Sequence, residues 1–324
     1  MLSTLLFFSC TTSPPVIVGG IRSEIPLYRS TERGERLFVA IDLPAVGKQY
    51  FMIDTGAAVS AIRSDLVQSM QLPVQQKAGY LTGVSGRTPW IETIVPEVQL
   101  GTYDLGKVAF AVGVEGLPTK AGLVPIAGVL GNNVWEDFVL DIDYGAETLQ
   151  LHQDYEFSDN VAKIDYDGQH ILSSIELWYG EHQVQALIAN IDTGSSGLIL
   201  NDQHVPQLKK IAQKSREAIL GVGSERSNQQ DYVVDTQMVE VQQTKVGGQL
   251  IETPLQAILL SPYDPSFKSL VGYQLLENHR LVVDYQNEQM ELTPSKIDLP
   301  PRNLHEDYLQ SILWGAVEAD PMTV

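Results

Sequence analysis

The tripeptide Asp-Thr-Gly occurs twice, at Asp54-Thr55-Gly56 and at Asp192-Thr193-Gly194, 138 residues apart. Each copy follows an isoleucine, Ile53 or Ile191. Each runs into small residues and then apolar ones, Ala57 to Ile62 and Ser195 to Leu200. The likeness continues downstream. Gly83-Val84 and Gly221-Val222 both lie 29 residues after their aspartates. Val129-Leu130-Gly131 then matches Leu270-Val271-Gly272, with an offset of 141. Twelve residues after each of these glycines comes Asp-Tyr, at Asp143-Tyr144 and Asp284-Tyr285. Glu136, Leu140, Glu147 and Leu151 find partners in Glu277, Leu281, Glu288 and Leu292. One Asp-Thr-Gly is commonly a turn, whereas two in matched order indicate one unit written twice. A duplicated β domain whose glycines serve turns alone is the plainer alternative.

Local pattern points to strands. Residues 36–43 alternate as a half-buried strand does, as do 50–53 and 185–191. Gly47-Lys48 and Gly180-Glu181 are hairpin signals just before the Asp-Thr-Gly strands. The spacing predicts short helices over 134–140 and 275–281, each leading into an Asp-Tyr strand. It predicts a longer helix over 202–221 with Lys209, Lys210, Lys214 and Arg216 on a solvated face. The polar stretch 154–167 links the copies. Past Pro300-Pro301, residues 303–316 read as one amphipathic helix packed on a lobe or docking a partner.

Composition excludes several function classes. The 324 residues carry 21 Lys+Arg against 40 Asp+Glu, a net charge of -19. Phosphate-bearing partners need cations, so nucleic acid and anionic membrane surfaces are not expected partners. The single cysteine, Cys10, allows no intramolecular disulfide, and the six scattered histidines form no HxH or HxxxH pair. No metal or cofactor is expected. Residues 1–9 are a short apolar leader ending at Cys10, which resembles the lipobox of bacterial lipoproteins. Residues 10–23 then form a polar tether. The expected organisation is a signal peptide over 1–9, lipidation at Cys10, lobes over 24–155 and 160–294, and a tail over 295–324. The expected location is the bacterial cell envelope, facing the periplasm or the exterior, with the membrane met only through the lipid.

Two symmetry-related Asp-Thr-Gly turns bring two carboxylates together. Such a pair cannot ionise fully and shares a proton. One member then takes a proton from water while the other polarises a carbonyl, which is amide hydrolysis by general acid–base catalysis. No Gly-x-Ser-x-Gly is present as a competing nucleophile. Here the sequence resembles the aspartic peptidases. Residues 53–57 look like the retropepsin-type turn, and 191–196 like the pepsin-type turn. The two apolar-apolar-Gly elements and the trailing Asp-Tyr pairs resemble the bacterial retropepsin-like group. The resemblance implies a mainly all-β, bilobal acid-protease fold: two pseudo-symmetric barrel-like lobes with short helices and a cleft between them. It implies Asp54 and Asp192 as the catalytic dyad, Thr55 and Thr193 as hydroxyls locking the turns, and Gly56 and Gly194 as turn glycines. Ser195 supports Asp192, with its hydroxyl expected to donate to that carboxylate. A flap is implied over Gly79 to Trp90, with Gly83 and Gly86 at its bend and Tyr80 and Trp90 facing the cleft or packing beside it. Its twin is expected near 221–223. Both turns lie on one chain, so the expected enzyme is a monomeric endopeptidase acting on a peptide or protein. A peptide-binding lipoprotein keeping the same cleft, and a structural lobe docked through 303–316, are the competing readings. Arg22, Arg29, Arg33 and Arg36 are either a solvated entry strand or a segment folded over the acidic cleft.

Overall fold

A computed structural model describes residues 24–30, 36–84, 86–114, 117–121, 124–180, 183–214, 236–262 and 264–295. The leader, Cys10 and its tether, Arg22, Arg33, Arg216, residues 221–223 and the 303–316 segment lie outside them.

Each half starts with a hairpin that ends on an Asp-Thr-Gly turn. In the first, Leu37–Leu43 pairs with Gly47–Ile53, and Gly47 takes the left-handed backbone (φ 67) that closes the turn. In the second, Ile171–Tyr179 pairs with Gln183–Ile191 across Gly180 at φ 56. The apolar-apolar-Gly segments are then threaded in. Gly128–Leu130 runs parallel to the end of the first hairpin and antiparallel to Ala61–Ile62. Ser269–Val271 runs parallel to 189–191 and antiparallel beside Ile199. A central strand is covered on both faces, so its residues read as apolar runs rather than alternating ones. Tyr50 to Ile53, Gly128 to Leu130 and Ser269 to Val271 are all buried.

The two halves also share one six-stranded sheet. Its order is Ile25–Pro26, Thr148–His152, Val139–Asp143, His279–Asp284, Gln289–Pro294, Ala162–Lys163. Three strands come from each copy, and the pseudo-two-fold axis runs between Val139–Asp143 and His279–Asp284, which pair antiparallel. The repeated Asp-Tyr pairs and glutamates shape this sheet. Asp143 accepts the Ala146 N–H, and Asp284 accepts those of Gln286 and Asn287, so each aspartate folds the turn that follows it. Glu147 and Glu288 complete those turns at φ 54 and 53. Arg280 crosses the axis to grip Asp141 with Nε at 2.8 Å and Nη2 at 2.6 Å. One apolar core therefore runs through both lobes, with Trp135, Tyr144, Phe51 and Phe110 among its largest buried side chains.

Several local expectations change. The short helices are single turns, Asn132–Trp135 and Tyr273–Leu276, and each begins directly after its glycine. Strands start by Val139 and His279, because sheet pairing outweighs four residues of helical pattern. In the described part of the expected 202–221 helix, residues 202–214, the helix is six residues, Pro206–Ile211. Proline opens it, and Ala212 already has extended backbone. Lys209 is not on a purely solvated face, since its ammonium pairs with buried Asp202. The link over 154–167 contains two short strands, one in the shared sheet and one pairing with Ile171–Tyr179.

Candidate active site

The two Asp-Thr-Gly turns meet at the axis. The Thr55 hydroxyl donates to the Ile191 carbonyl at 2.7 Å and accepts the Thr193 N–H at 3.1 Å. Thr193 returns both contacts, donating to the Ile53 carbonyl at 2.9 Å and accepting the Thr55 N–H at 3.0 Å. Both threonines are buried, so these four bonds satisfy groups that would otherwise be costly. Behind each turn, the threaded strand repeats its own bonds. Asp54 N–H donates to the Leu130 carbonyl at 3.0 Å, and Asp192 N–H to that of Val271 at 2.9 Å. Gly131 and Gly272 sit where a Cβ would lie 2.5 Å from the Ala57 carbonyl oxygen and 2.4 Å from that of Ser195. Only glycine allows this approach.

The carboxylates of Asp54 and Asp192 are hydrogen-bonded to one another. Gly56 and Gly194 make room for the pair: a Cβ on either would lie 2.4 Å from the carboxyl carbon of the opposite aspartate. The two acids are not equivalent. Asp54 accepts one backbone N–H, from Gly56 at 3.0 Å. Asp192 accepts two, from Gly194 at 2.9 Å and Ser195 at 3.0 Å. Burial raises the pKa of Asp54 well above the carboxylate range, and the charge of Asp192 raises it further. Burial also raises that of Asp192, against the pull of the Asp54 hydrogen bond and the two N–H donors. Hydrogen bonds to the charged form favour charge, so the proton resides on Asp54 and the charge on Asp192.

The expected role of the Ser195 hydroxyl is corrected. It donates to the Gly197 carbonyl at 3.2 Å, and the support for Asp192 comes from the Ser195 backbone N–H. The turn geometry that brings this N–H onto the carboxylate leaves the side chain facing its own loop. Two arginines also find their places. Arg29 is buried behind the site, with its guanidinium on the Tyr273 hydroxyl, the Tyr144 carbonyl and Glu147. Arg36 donates from Nε to the Gly194 carbonyl at 2.6 Å, and its charge lowers the pKa of both aspartates. No repeat marked Arg36, because the equivalent position before the second hairpin is His170.

The 79–90 segment forms the end of a long hairpin, Val74–Thr82 against Arg87–Leu100, and Gly83 N–H donates to the Gly86 carbonyl at 2.9 Å in its bend. Tyr80 is 60% exposed, with the Arg87 guanidinium 4.2 Å from its ring centre. Trp90 is half-buried against an apolar cluster of the first lobe. The residue that crosses to the other lobe is Val84, buried with Ile199, Leu260 and Leu270 beside Phe267. Its signal in the sequence is the repeated Gly-Val pair, Gly83-Val84 and Gly221-Val222.

Residues 48–134 match the family model described as Aspartyl protease, a segment holding the first Asp-Thr-Gly and the first apolar-apolar-Gly. Among solved structures, the crystal structure of an aspartic proteinase from Irpex lacteus matches with a TM-score of 0.56 at 12% identity, covering 87% of this chain and 100% of that one. No curated protein matches the chain. The chain has the mainly β, bilobal fold of aspartic proteinases, and the family match in its first half supports an aspartic peptidase.

Proposed function

We propose that the chain is an aspartic endopeptidase whose single-chain site is the Asp54–Asp192 pair. One observation carries this reading: two hydrogen-bonded carboxylates, locked by reciprocal threonines, differ in their backbone donors. Asp192, as the charged member, takes a proton from a water molecule while its oxygen bonds the peptide carbonyl carbon. Asp54 gives its proton to the carbonyl oxygen. The tetrahedral diol then collapses: Asp192 passes its proton to the leaving nitrogen, the C–N bond breaks, and Asp54 recovers a proton from one hydroxyl. Neither metal nor covalent intermediate is needed. The 79–90 hairpin serves as the flap, with Val84 bridging to the second lobe. The same reading has the chain working as a monomer on peptide substrates, held at the bacterial envelope by lipid on Cys10. The apolar leader before the sole cysteine supports the anchoring.

The pH dependence of kcat/KM tests the dyad. A pair sharing one proton gives a bell, and its limbs belong to the pair rather than to either residue. Arg36 lowers both acids, so Arg36→Gln is expected to move both limbs to higher pH. The shift is about half a unit to one unit, the size of one partly screened charge. Ser195→Ala is expected to leave the limbs in place, because the hydroxyl bonds Gly197. A profile without an acidic limb, or limbs that move down in Arg36→Gln, would rule out this assignment.

A further inference from the structure

The repeated Asp-Tyr pairs are not accounted for by the dyad itself. Each tyrosine crosses the axis to the residue that follows the other copy's apolar-apolar-Gly. Tyr144 meets Tyr273, with ring centres 5.7 Å apart. Tyr285 reaches Asn132 and donates its hydroxyl to Asn132 Oδ1 at 3.0 Å. The two crossings differ in one respect. Among the described residues the Tyr144 hydroxyl is buried without a hydrogen-bond partner, whereas the Tyr285 hydroxyl holds an amide that touches the catalytic turn.

Asn132 is fully buried and uses its whole side-chain amide. Nδ2 donates to the Thr55 carbonyl at 3.0 Å and to the Gln169 carbonyl at 2.7 Å. The amide therefore ties the residue after Asp54 to the second lobe. A flipped amide would turn its oxygen toward two carbonyl oxygens, so those acceptors set its orientation, and the Tyr285 phenol anchors the amide by donating to the Oδ1 left facing it. Burial keeps the Tyr285 phenol protonated, with its pKa well above the ordinary value, so the donor persists at any working pH. Tyr166 packs edge-on against the Tyr285 ring at 5.0 Å, and its own hydroxyl goes to Glu136.

We propose that Tyr285 and Asn132 are positioning residues for Asp54: the phenol anchors the amide, and the amide holds the Thr55 backbone against the second lobe. This rests on the endopeptidase reading, but it concerns the geometry of the turn and is testable without turnover. The paired variants Tyr285→Phe and Tyr144→Phe remove the same atom from pseudo-symmetric sites. Two readouts are compared, peptide kinetics and the carboxyl titration of the dyad by NMR with 13C-labelled aspartate. In Tyr285→Phe, kcat falls about tenfold with KM within about twofold, the scale of one lost hydrogen bond. The upper pKa of the dyad also falls, because a looser turn admits water beside Asp54, while Arg36 and Asp192 remain its charged neighbours. Tyr144→Phe leaves both readouts unchanged. Asn132→Leu reproduces the Tyr285→Phe loss, and the double variant is no worse than the single ones. A folded Tyr285→Phe protein with wild-type titration and wild-type kcat, or equal losses in both tyrosine variants, overturns the proposal. A wild-type protein that cleaves nothing overturns the endopeptidase reading instead, and the NMR titration still decides the positioning claim.

Discussion

Asparagine at either position 54 or position 192 is expected to lower kcat/KM by roughly four orders of magnitude or more, because groups acting as a unit lose nearly all function together. Asp192→Asn, which removes the charged member of the pair, is also expected to raise thermal stability at neutral pH. Asp192 is buried and Asp54 half-buried, and desolvation raises the pKa of each. The folded state thus holds a proton more tightly than the unfolded chain, where aspartate titrates near about 3.9. Stability contributed by the protonated form is complete below that value and is lost as pH rises through the folded pKa. At pH 7 the wild type carries the cost of a buried charge that asparagine lacks. Each kcal/mol so relieved shifts the melting temperature by about 2–4 °C in a protein of roughly this size. The stability advantage therefore shrinks below about pH 4. Calorimetry at pH 7 and pH 3.5, run beside the kinetics, checks both parts. An inactive variant that melts lower at pH 7 would mean that the aspartates hold the fold rather than a strained proton.

Gly194→Ala is expected to lower kcat/KM by about a hundredfold while leaving the lobes folded. The added methyl would lie 2.4 Å from the Asp54 carboxyl carbon and 2.5 and 2.7 Å from its oxygens. Asp54 cannot swing clear without giving up the Gly56 N–H and its bond to Asp192. The two carboxylates must separate, and a displacement on the order of 1 Å at the reacting groups costs about a hundredfold in rate. Gly56→Ala presses on Asp192 in the same way. Gly197→Ala is the comparison: there the nearest atom is the end of the Gln274 side chain at 3.2 Å, which can move aside. Kinetics with circular dichroism distinguishes the cases. Wild-type rates in Gly194→Ala would show that the carboxylates do not need their present spacing.

What could be read from the sequence was what the duplication repeated. Asp54 and Asp192, their threonines and glycines, and the two threaded strands all occur in matched order, and the structure brings each set together at the axis. Residues without a twin were less legible. Arg36 faces His170 across the pseudo-symmetry, Asn132 faces Tyr273, and Arg29 faces Tyr166, so no internal comparison marked them. The shared sheet was invisible for another reason. Its outer strands Ile25–Pro26 and Ala162–Lys163 are two residues long and have no periodicity to read. The Ser195 hydroxyl shows the limit of residue-type reasoning: a donor was expected there and is present, but the backbone N–H holds the position beside Asp192. Tyr80 lies within the strand Val74–Thr82 and is exposed, whereas Val84 lies in the bend beyond that strand and packs with Ile199, Leu260 and Leu270, a placement that strand alternation does not predict.

The most direct test of the central claim is digestion of a mixed peptide library by the purified chain lacking residues 1–23, read by mass spectrometry across pH 3 to about pH 8, where carboxylate pairs titrate. Molecular mass is followed by light scattering in the same samples. The account predicts cleavage of internal peptide bonds by a monomer, insensitive to chelators, and none by Asp192→Asn. Cleavage that persists in Asp192→Asn, or that appears only with a dimer, would contradict it.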